Sequence, residues 1–194
     1  MTTILLFHHV LGLTDGVRDV AESLRRQGHE VHTPDLFKGR SFPDIDSGFA
    51  YVESIGFPEL YRRAEQACSG LPRDVVLGGF SLGVMSAQYL LHTRPGARGA
   101  LFFHSFIDPG YLPGQWPDAV PVHVFAMDHD PFFVAEGDLE AALKWQVNHK
   151  NLHIHQYPGK GHLFLDPTTP DFDADTSAQV LQDVEAALAE MIGQ

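Results

Sequence analysis

Cysteine is almost absent from this chain: Cys68 is the single one among 194 residues. One cysteine excludes an internal disulfide, so the sequence does not describe a disulfide-stabilised secreted domain. The neighbours of Cys68 form no redox or metal motif. We therefore interpret Cys68 as a helix residue that packs in the core.

Long hydrophobic runs are also missing. The N-terminus offers only the short apolar run from Ile4 to Phe7, far below the ~20 residues of a membrane-spanning helix. It also shows neither the basic leader nor the cleavage pattern of a secretory signal. We therefore expect a cytoplasmic protein with no membrane partner.

Positive charge is scarce, since 13 Lys and Arg residues face 25 Asp and Glu residues for a formal net charge of −12. The cations are scattered along the chain, and the excess negative charge would repel a phosphate backbone, so we expect no nucleic-acid partner. The sequence also lacks flexible linkers, charge blocks and internal repeats. We expect one domain over residues 1–194, as a monomer or small homo-oligomer.

Short apolar runs are what the sequence does contain, and they alternate with helical patterns. We predict strands over the following ranges: 3–7, 30–33, 75–77, 100–103, 120–126 and 152–156. Helices are predicted between them, from Val17 to a stop at Gly28, over 48–69 with a break at Pro58, and over 81–92 and 138–148. A final helix starts at a capping box formed by Thr176 and Gln179.

This alternation predicts an open, mostly parallel α/β sheet of about six or more strands, with helices on both faces and no large lid domain. Ligands bind such sheets at the carboxyl ends of the strands. The candidate catalytic residues all follow predicted strands, so they are expected at one edge of the sheet.

The segment Gly79-Phe80-Ser81-Leu82-Gly83 lies where a strand gives way to a helix. A serine on such a sharp turn is exposed to substrate, and glycines at both flanking positions relieve the crowding. The first N–H groups of the following helix have no intrahelical partner and point toward the reacting oxygen. The pattern predicts that Ser81 is a nucleophile.

A serine nucleophile needs a base, and the base needs an acceptor that fixes its orientation. His162 follows the last predicted strand in a glycine-containing loop, and we predict that it is the base. Asp130 and Asp128 both follow the preceding strand. We favour Asp130 because Pro131 starts a new turn after it, whereas Asp128 is suited to bonding local loop amides.

The order Ser81, Asp130, His162 is that of the α/β hydrolases. From His8 through Gly161-His162, the chain resembles the dienelactone hydrolase family over nearly its full length. The resemblance implies a compact α/β hydrolase with these three residues as the catalytic triad. It also implies an oxyanion hole formed by the backbone N–H groups of Val10 and Leu82.

Three positions depart from the family pattern. The family carries cysteine where this chain has Ser81, and a glutamate where it has His9. In the family, an arginine shortly after the catalytic histidine binds the substrate carboxylate. In this chain the segment after His162 ends in Asp166, which is expected to repel a carboxylate. Arg40 is the alternative cation. We therefore expect an ordinary esterase mechanism, with dienelactone itself a poor substrate.

Further residues follow the predicted strands and are candidates for substrate contact. His9 and His104 are two of them, and Phe133 and Phe164 belong to a group of aromatic residues, which also includes Phe132, expected to form an apolar pocket. His153 and His155 have spacing compatible with a metal, but no nearby cysteine or carboxylate pattern completes a site. We expect neither a metal nor a cofactor.

The sequence therefore predicts a serine hydrolase that cleaves a small ester or lactone through an acyl-enzyme on Ser81. Two alternatives stay open. One is an acyltransferase, because the triad does not choose the acceptor. The other is a noncatalytic ligand-binding or interaction protein that retains the fold, because fold alone does not fix function.

Overall fold

Six strands form the centre of the molecule. The computed structural model describes residues 1–193. The strands are β1 (Thr3–Phe7), β2 (Glu30–His32), β3 (Val76–Phe80), β4 (Gly99–Phe103), β5 (Val122–Met127) and β6 (Leu152–Tyr157). They lie in one sheet in the order β2-β1-β3-β4-β5-β6, and every neighbouring pair is parallel. The sequence predicted all six strands, four of them from apolar runs, with ends that differ by a few residues.

Helices connect the strands. They are α1 (Asp15–Arg26), α2 (Ile45–Ile55), α3 (Phe57–Cys68), α4 (Leu82–Thr93), α5 (Pro131–Ala135), α6 (Asp138–Gln146) and α7 (Ala174–Gly193). The predicted break at Pro58 separates α2 from α3: Gly56 ends α2 with a φ of +77°, and Pro58 lies in the first turn of α3. Proline suits that position because it lacks the N–H that a first turn leaves unpaired.

One local prediction was wrong, and one helix was missed. The last helix begins at Ala174, before the predicted capping box, and the Oδ1 atom of Asp173 accepts a hydrogen bond from the Thr176 N–H at 2.8 Å. Asp173 therefore has the capping role that we predicted for Thr176. The short helix α5 was not predicted, because its residues make little more than one turn and show no periodicity.

Apolar side chains cover both faces of the sheet. Leu5 and Phe7 of β1 pack on the side of α2, α3 and α4, whereas Ile4 and Leu6 pack on the side of α1 and α7. Alternation along each strand sends successive side chains to opposite faces, so a strand of continuous apolar residues supplies both layers. Residues 1–193 add no large lid domain to these layers, and the predicted fold class is confirmed.

The helices of residues 1–193 include none with the length and apolar character needed to cross a membrane.

Candidate active site

Ser81 occupies the sharp turn between β3 and α4. Its φ is +48°, a conformation that L-residues seldom adopt and that the surrounding structure must hold in place. The Ser81 N–H donates to the carbonyl of Phe103 on the neighbouring strand β4, at 2.8 Å. The serine is thereby fixed at the carboxyl end of the sheet.

The two glycines that flank Ser81 allow β3, α4 and β1 to approach closely. A Cβ atom on Gly79 would collide with the backbone of Gly83. A Cβ atom on Gly83 would lie 2.5 Å from the carbonyl oxygen of Phe7 and 2.7 Å from that of His8. Neither position has room for a side chain, which is the physical reason for glycine on both sides of this turn.

His162 lies directly against the serine. Its Nε2 atom is 2.7 Å from Ser81 Oγ, and its Nδ1 atom is 2.8 Å from Asp130 Oδ2. The backbone N–H of His162 donates to Asp171 Oδ2 at 3.0 Å, which fixes the loop after β6. The structure thus brings the three predicted triad residues together, although Ser81 and His162 are 81 positions apart in the chain.

Asp130 is fully buried, and its two carboxylate oxygens have different partners. Oδ1 accepts the N–H of Phe132 at 2.9 Å and so caps α5, which leaves Oδ2 for His162. Asp128 instead accepts the N–H of Gly159 at 3.0 Å and pairs with the neighbouring ring of His129. The structure therefore places Asp130, and not Asp128, beside His162.

The two predicted oxyanion-hole residues lie at the same edge of the sheet. Leu82 is the first residue of α4, so its N–H has no acceptor within the helix. Val10 follows β1, which is the neighbour of β3 in the sheet. Val10 lies in the turn after β1 and Leu82 directly follows Ser81, so both lie at the edge of the sheet where a pair of donors for one oxygen would be required.

A cleft of about 150 Å³ opens beside Ser81 and His162. Its apolar walls come from α2, α4, the segment after β4 and α5. The residues that line it are Ile45, Phe49, Ser81, Leu82, Met85, His104, Ser105, Ile107, Phe132, Glu136, Asp138 and His162. No lysine or arginine of residues 1–193 lines this cleft, whereas two carboxylates do.

Of the five residues predicted to contact substrate, only His104 lines the cleft. Phe133 and Phe164 are fully buried in the core, and Phe132 lines the wall in place of Phe133. Arg40 lies outside the cleft, with its guanidinium carbon 5.3 Å from the centre of the Tyr51 ring. Two adjacent residues of a helix point in different directions, so the sequence could not decide which phenylalanine faces the cleft.

His104 is a buried histidine behind the triad. Its φ is +69°, and its ring centre lies 5.8 Å from that of His162. Burial, together with the nearby His162 and His9, holds the pKa of His104 well below its ordinary value of 6.5. The ring therefore stays uncharged at neutral pH.

His9 also lies outside the cleft and is paired with Asp166. The N–H of Leu11 donates to His9 Nδ1 at 3.3 Å, so His9 Nε2 carries the proton and donates to Asp166 Oδ2 at 2.8 Å. The Asp166 carboxylate also accepts hydrogen bonds from Thr14 and Thr168. Asp166 is therefore a partner of His9 in the interior, and not a cleft residue that repels substrate by direct contact.

The pKa of Asp166 predicts how its contribution to stability depends on pH. Burial raises this pKa, but the hydrogen bonds from His9, Thr14 and Thr168 outweigh burial and hold the pKa below its ordinary value of 3.8. A carboxyl group with a lowered pKa stabilises the folded state above its unfolded pKa, and the contribution is lost as the pH falls below about 4.

We expect Asp166→Asn to lower the free energy of unfolding by about 2 to 3 kcal/mol at pH 7, because charge-assisted hydrogen bonds are lost. The deficit should shrink when urea unfolding is repeated at pH 3, because there the carboxyl of the unfolded chain is largely protonated while that of the folded chain stays ionised. Asp19→Asn, at an exposed site on α1, is the control and should change stability by less than about 0.5 kcal/mol. An equal deficit at both pH values would contradict the assignment.

Ser105 and Asp138 line the cleft but were not predicted. The Ser105 hydroxyl donates to Asp138 Oδ2 at 2.6 Å, and the Phe106 N–H donates to the same oxygen at 2.9 Å. Burial raises the pKa of Asp138. Ser105 could have been predicted as a cleft residue, because it follows His104 directly after β4. Asp138 could not, because nothing in the sequence indicates that the start of α6 contacts the segment after β4.

The parallel sheet, the helices on both faces and the serine turn after β3 define an α/β hydrolase. The family model of the dienelactone hydrolase family matches residues 1–192. The chain belongs to this family, as the sequence resemblance predicted, and it is a hydrolase that acts on ester bonds of small molecules. A search of curated proteins gives no match.

Solved structures share the fold at low sequence identity. A dienelactone hydrolase-like promiscuous phosphotriesterase from metagenomic libraries is 19% identical with a TM-score of 0.77, covering 98% of this chain and 87% of its own. Esterase PE8 is 18% identical with a TM-score of 0.64, and the match covers 95% of this chain and 92% of the esterase. A cold-adapted esterase from an Arctic intertidal metagenomic library is 20% identical with a TM-score of 0.63, and the match covers 93% of this chain and 82% of that esterase.

Proposed function

We propose that the protein is a serine hydrolase that cleaves a carboxylic ester or lactone through an acyl-enzyme on Ser81. The observation that carries the proposal is the continuous chain of hydrogen bonds from Ser81 Oγ through the His162 ring to Asp130, at 2.7 and 2.8 Å. These distances lie within the range in which a base accepts a nucleophile's proton and is itself oriented by a carboxylate.

The reaction then has two halves. Ser81 Oγ attacks the carbonyl carbon while His162 Nε2 takes its proton, and the protonated ring gives that proton to the departing alkoxide. In the second half, His162 removes a proton from water, the resulting hydroxide attacks the acyl carbon, and Ser81 regains its proton as the acid leaves. Asp130 orients the ring and stabilises its protonated form.

The N–H groups of Val10 and Leu82 would donate to the oxyanion of each tetrahedral intermediate. Such a donor typically contributes about 10² to 10³ in rate. Serine has no stable anion near neutral pH, unlike the cysteine of the family pattern, so attack depends on His162 at the moment of reaction. This dependence is why we assign an ordinary esterase mechanism to the chain.

The charge of the cleft supports an uncharged substrate. Glu136 and Asp138 line the cleft and no lysine or arginine of residues 1–193 accompanies them, so a substrate carboxylate would be repelled near its binding position. Apolar side chains such as Met85, Ile107 and Phe132 suit an alkyl or aryl acyl group. We therefore propose neutral esters and lactones as the substrate class, with residues 1–194 acting as one catalytic domain.

A fluorophosphonate probe and a matched pair of substrates test the proposal. The probe should form a covalent adduct on Ser81, located by peptide mass spectrometry. An uncharged activated ester should be hydrolysed with a kcat/KM at least about tenfold above that of the same ester bearing an acyl-chain carboxylate, since tenfold corresponds to about 1.4 kcal/mol of repulsion.

The other outcomes point to the alternatives. Folded protein that is not labelled and releases no acid would favour a noncatalytic binding protein. Labelling of Ser81 together with transfer of the acyl group to an added alcohol, with no hydrolysis, would favour an acyltransferase. A preference for the carboxylated ester would overturn the substrate class while leaving the mechanism in place.

A further inference from the structure

Two histidines lie side by side at the end of the sheet opposite to the triad. His123 is the second residue of β5 and His153 is the second residue of β6, and the two are register partners. Partners in a parallel pair point to the same face of the sheet. Their rings are 4.6 Å apart, centre to centre.

A carboxylate from the last helix joins this pair. Glu190 lies near the C-terminal end of α7, and its Oε2 atom is 3.9 Å from His123 Nε2. One ligand atom from each of His123, His153 and Glu190 lies within 4.8 Å of the other two. Among residues 1–193, these three form the one group of this kind.

His123 has a buried nitrogen with no partner in residues 1–193. The side chain is only 5% exposed, and its Nε2 atom makes no hydrogen bond. A buried polar atom without a partner is uncommon in proteins and calls for an explanation. Here the nitrogen is on the ring edge nearest Glu190, within the group just described.

The other nitrogen of His123 is occupied. Its Nδ1 atom is 3.0 Å from Nε2 of His155, two residues along β6 from His153. When Nδ1 donates its proton to His155, the lone pair is on Nε2, the atom beside Glu190. Metal-binding histidines have this arrangement, in which one nitrogen binds the ion and the other donates to a nearby acceptor.

We propose that His123, His153 and Glu190 form a binding site for Zn²⁺ on the face of the sheet covered by α7, with water as the fourth ligand. Two imidazole nitrogens and one carboxylate oxygen are a ligand set that zinc accepts in four-coordinate sites, and nitrogen ligands favour zinc over magnesium or calcium. The site is separate from the ester-cleaving chemistry proposed for Ser81.

The ligand atoms need only a small movement to reach an ion. Bond lengths to zinc of about 2.0 to 2.2 Å require the three atoms to come closer together by roughly 1 Å. Glu190 is 47% exposed and His153 is partly exposed, so both side chains have room to rotate toward the buried His123 nitrogen. Their exposure also gives the ion a path from solvent.

Bound zinc would connect the last turns of α7 to β5 and β6. The ion would therefore stabilise the folded state, since a ligand that binds only the native protein adds to its stability. His123 and His153 lie at the amino ends of their strands, whereas Ser81, Asp130 and His162 all follow the carboxyl ends. We expect zinc binding at this site to leave ester hydrolysis unchanged.

The test is a zinc titration of the full chain by calorimetry, with bound metal counted by elemental analysis after dialysis. The expected result is one Zn²⁺ per chain. The Tm should rise by about 5 to 10 °C when the free zinc concentration is about a hundred times the Kd. His155→Phe should weaken binding about 10- to 100-fold, the effect typical of a ligand's hydrogen-bond partner. His153→Ala and Glu190→Gln should weaken it more.

Glu185→Gln is the matched control, because this glutamate is also exposed on α7 but lies outside the group. It should bind zinc as the unchanged chain does.

The substitutions fall on exposed or partly exposed side chains, and urea unfolding without metal verifies that each variant is folded. Absence of one-to-one binding would overturn the proposal, as would unchanged affinity in His153→Ala and Glu190→Gln. Zinc that inhibits ester hydrolysis equally in every variant would place the ion at the triad instead.

Discussion

Ser81→Ala is expected to lower kcat for an activated uncharged ester by about 10⁴- to 10⁶-fold, the loss typical when the nucleophile of a serine triad is removed. The reason is that His162 would have no hydroxyl to activate, and no acyl-enzyme would form. Residual hydrolysis above the rate in water would come from the remaining oxyanion donors and from substrate binding. Steady-state kinetics with product detection measures the change.

Two controls make this result specific. Ser54→Ala changes an exposed serine of α2 and should retain the activity of the unchanged chain. Urea unfolding of Ser81→Ala verifies that the strained turn still folds; a residue other than serine at a φ of +48° experiences the same backbone strain. A folded Ser81→Ala variant with activity within about tenfold of the original would contradict the mechanism.

The second large effect concerns the two aspartates after β5. We expect Asp130→Asn to lower kcat by about 10⁴-fold, because an amide favours the wrong tautomer of His162 and does not stabilise its protonated ring. Asp128→Asn is the matched control: the same change two residues away, in a side chain that bonds the loop at Gly159 and His129. It should change kcat by less than about threefold.

Comparing Asp130→Asn with Asp128→Asn also tests which carboxylate orients His162. Should Asp128→Asn cause the larger loss, the carboxylate that orients His162 would be misassigned. Should both variants be equally active, the base would not need a carboxylate at all. Measuring kcat over a range of pH for each variant separates a lost orientation from a changed titration of the base.

The triad could be predicted from the sequence because its evidence is local. A serine between glycines at the end of a strand, an Asp-Pro pair after another strand and a histidine in a glycine-containing loop each give a short pattern. The parallel topology then places the ends of all strands at one edge. The structure brings Ser81, Asp130 and His162 together there.

The surroundings of the triad were predicted less well, because they depend on side-chain directions and long-range contacts. Phe132 and Phe133 are adjacent, and only the rotation of α5 decides which one lines the cleft. His9 and Asp166 are 157 positions apart, and nothing in the sequence indicates that they bond. Arg40 was a plausible cation for the cleft by sequence, but its loop places it beside Tyr51.

The sequence by itself determined the fold class, the family and the candidate catalytic residues, since hydrophobic periodicity and glycine-dependent turns are properties of short segments. Only the tertiary structure decided the lining and charge of the cleft, the partner of Asp166 and the meeting of His123 with Glu190. Those features arise where separate segments pack together, and the contacts between them are fixed by the whole fold rather than by any local pattern.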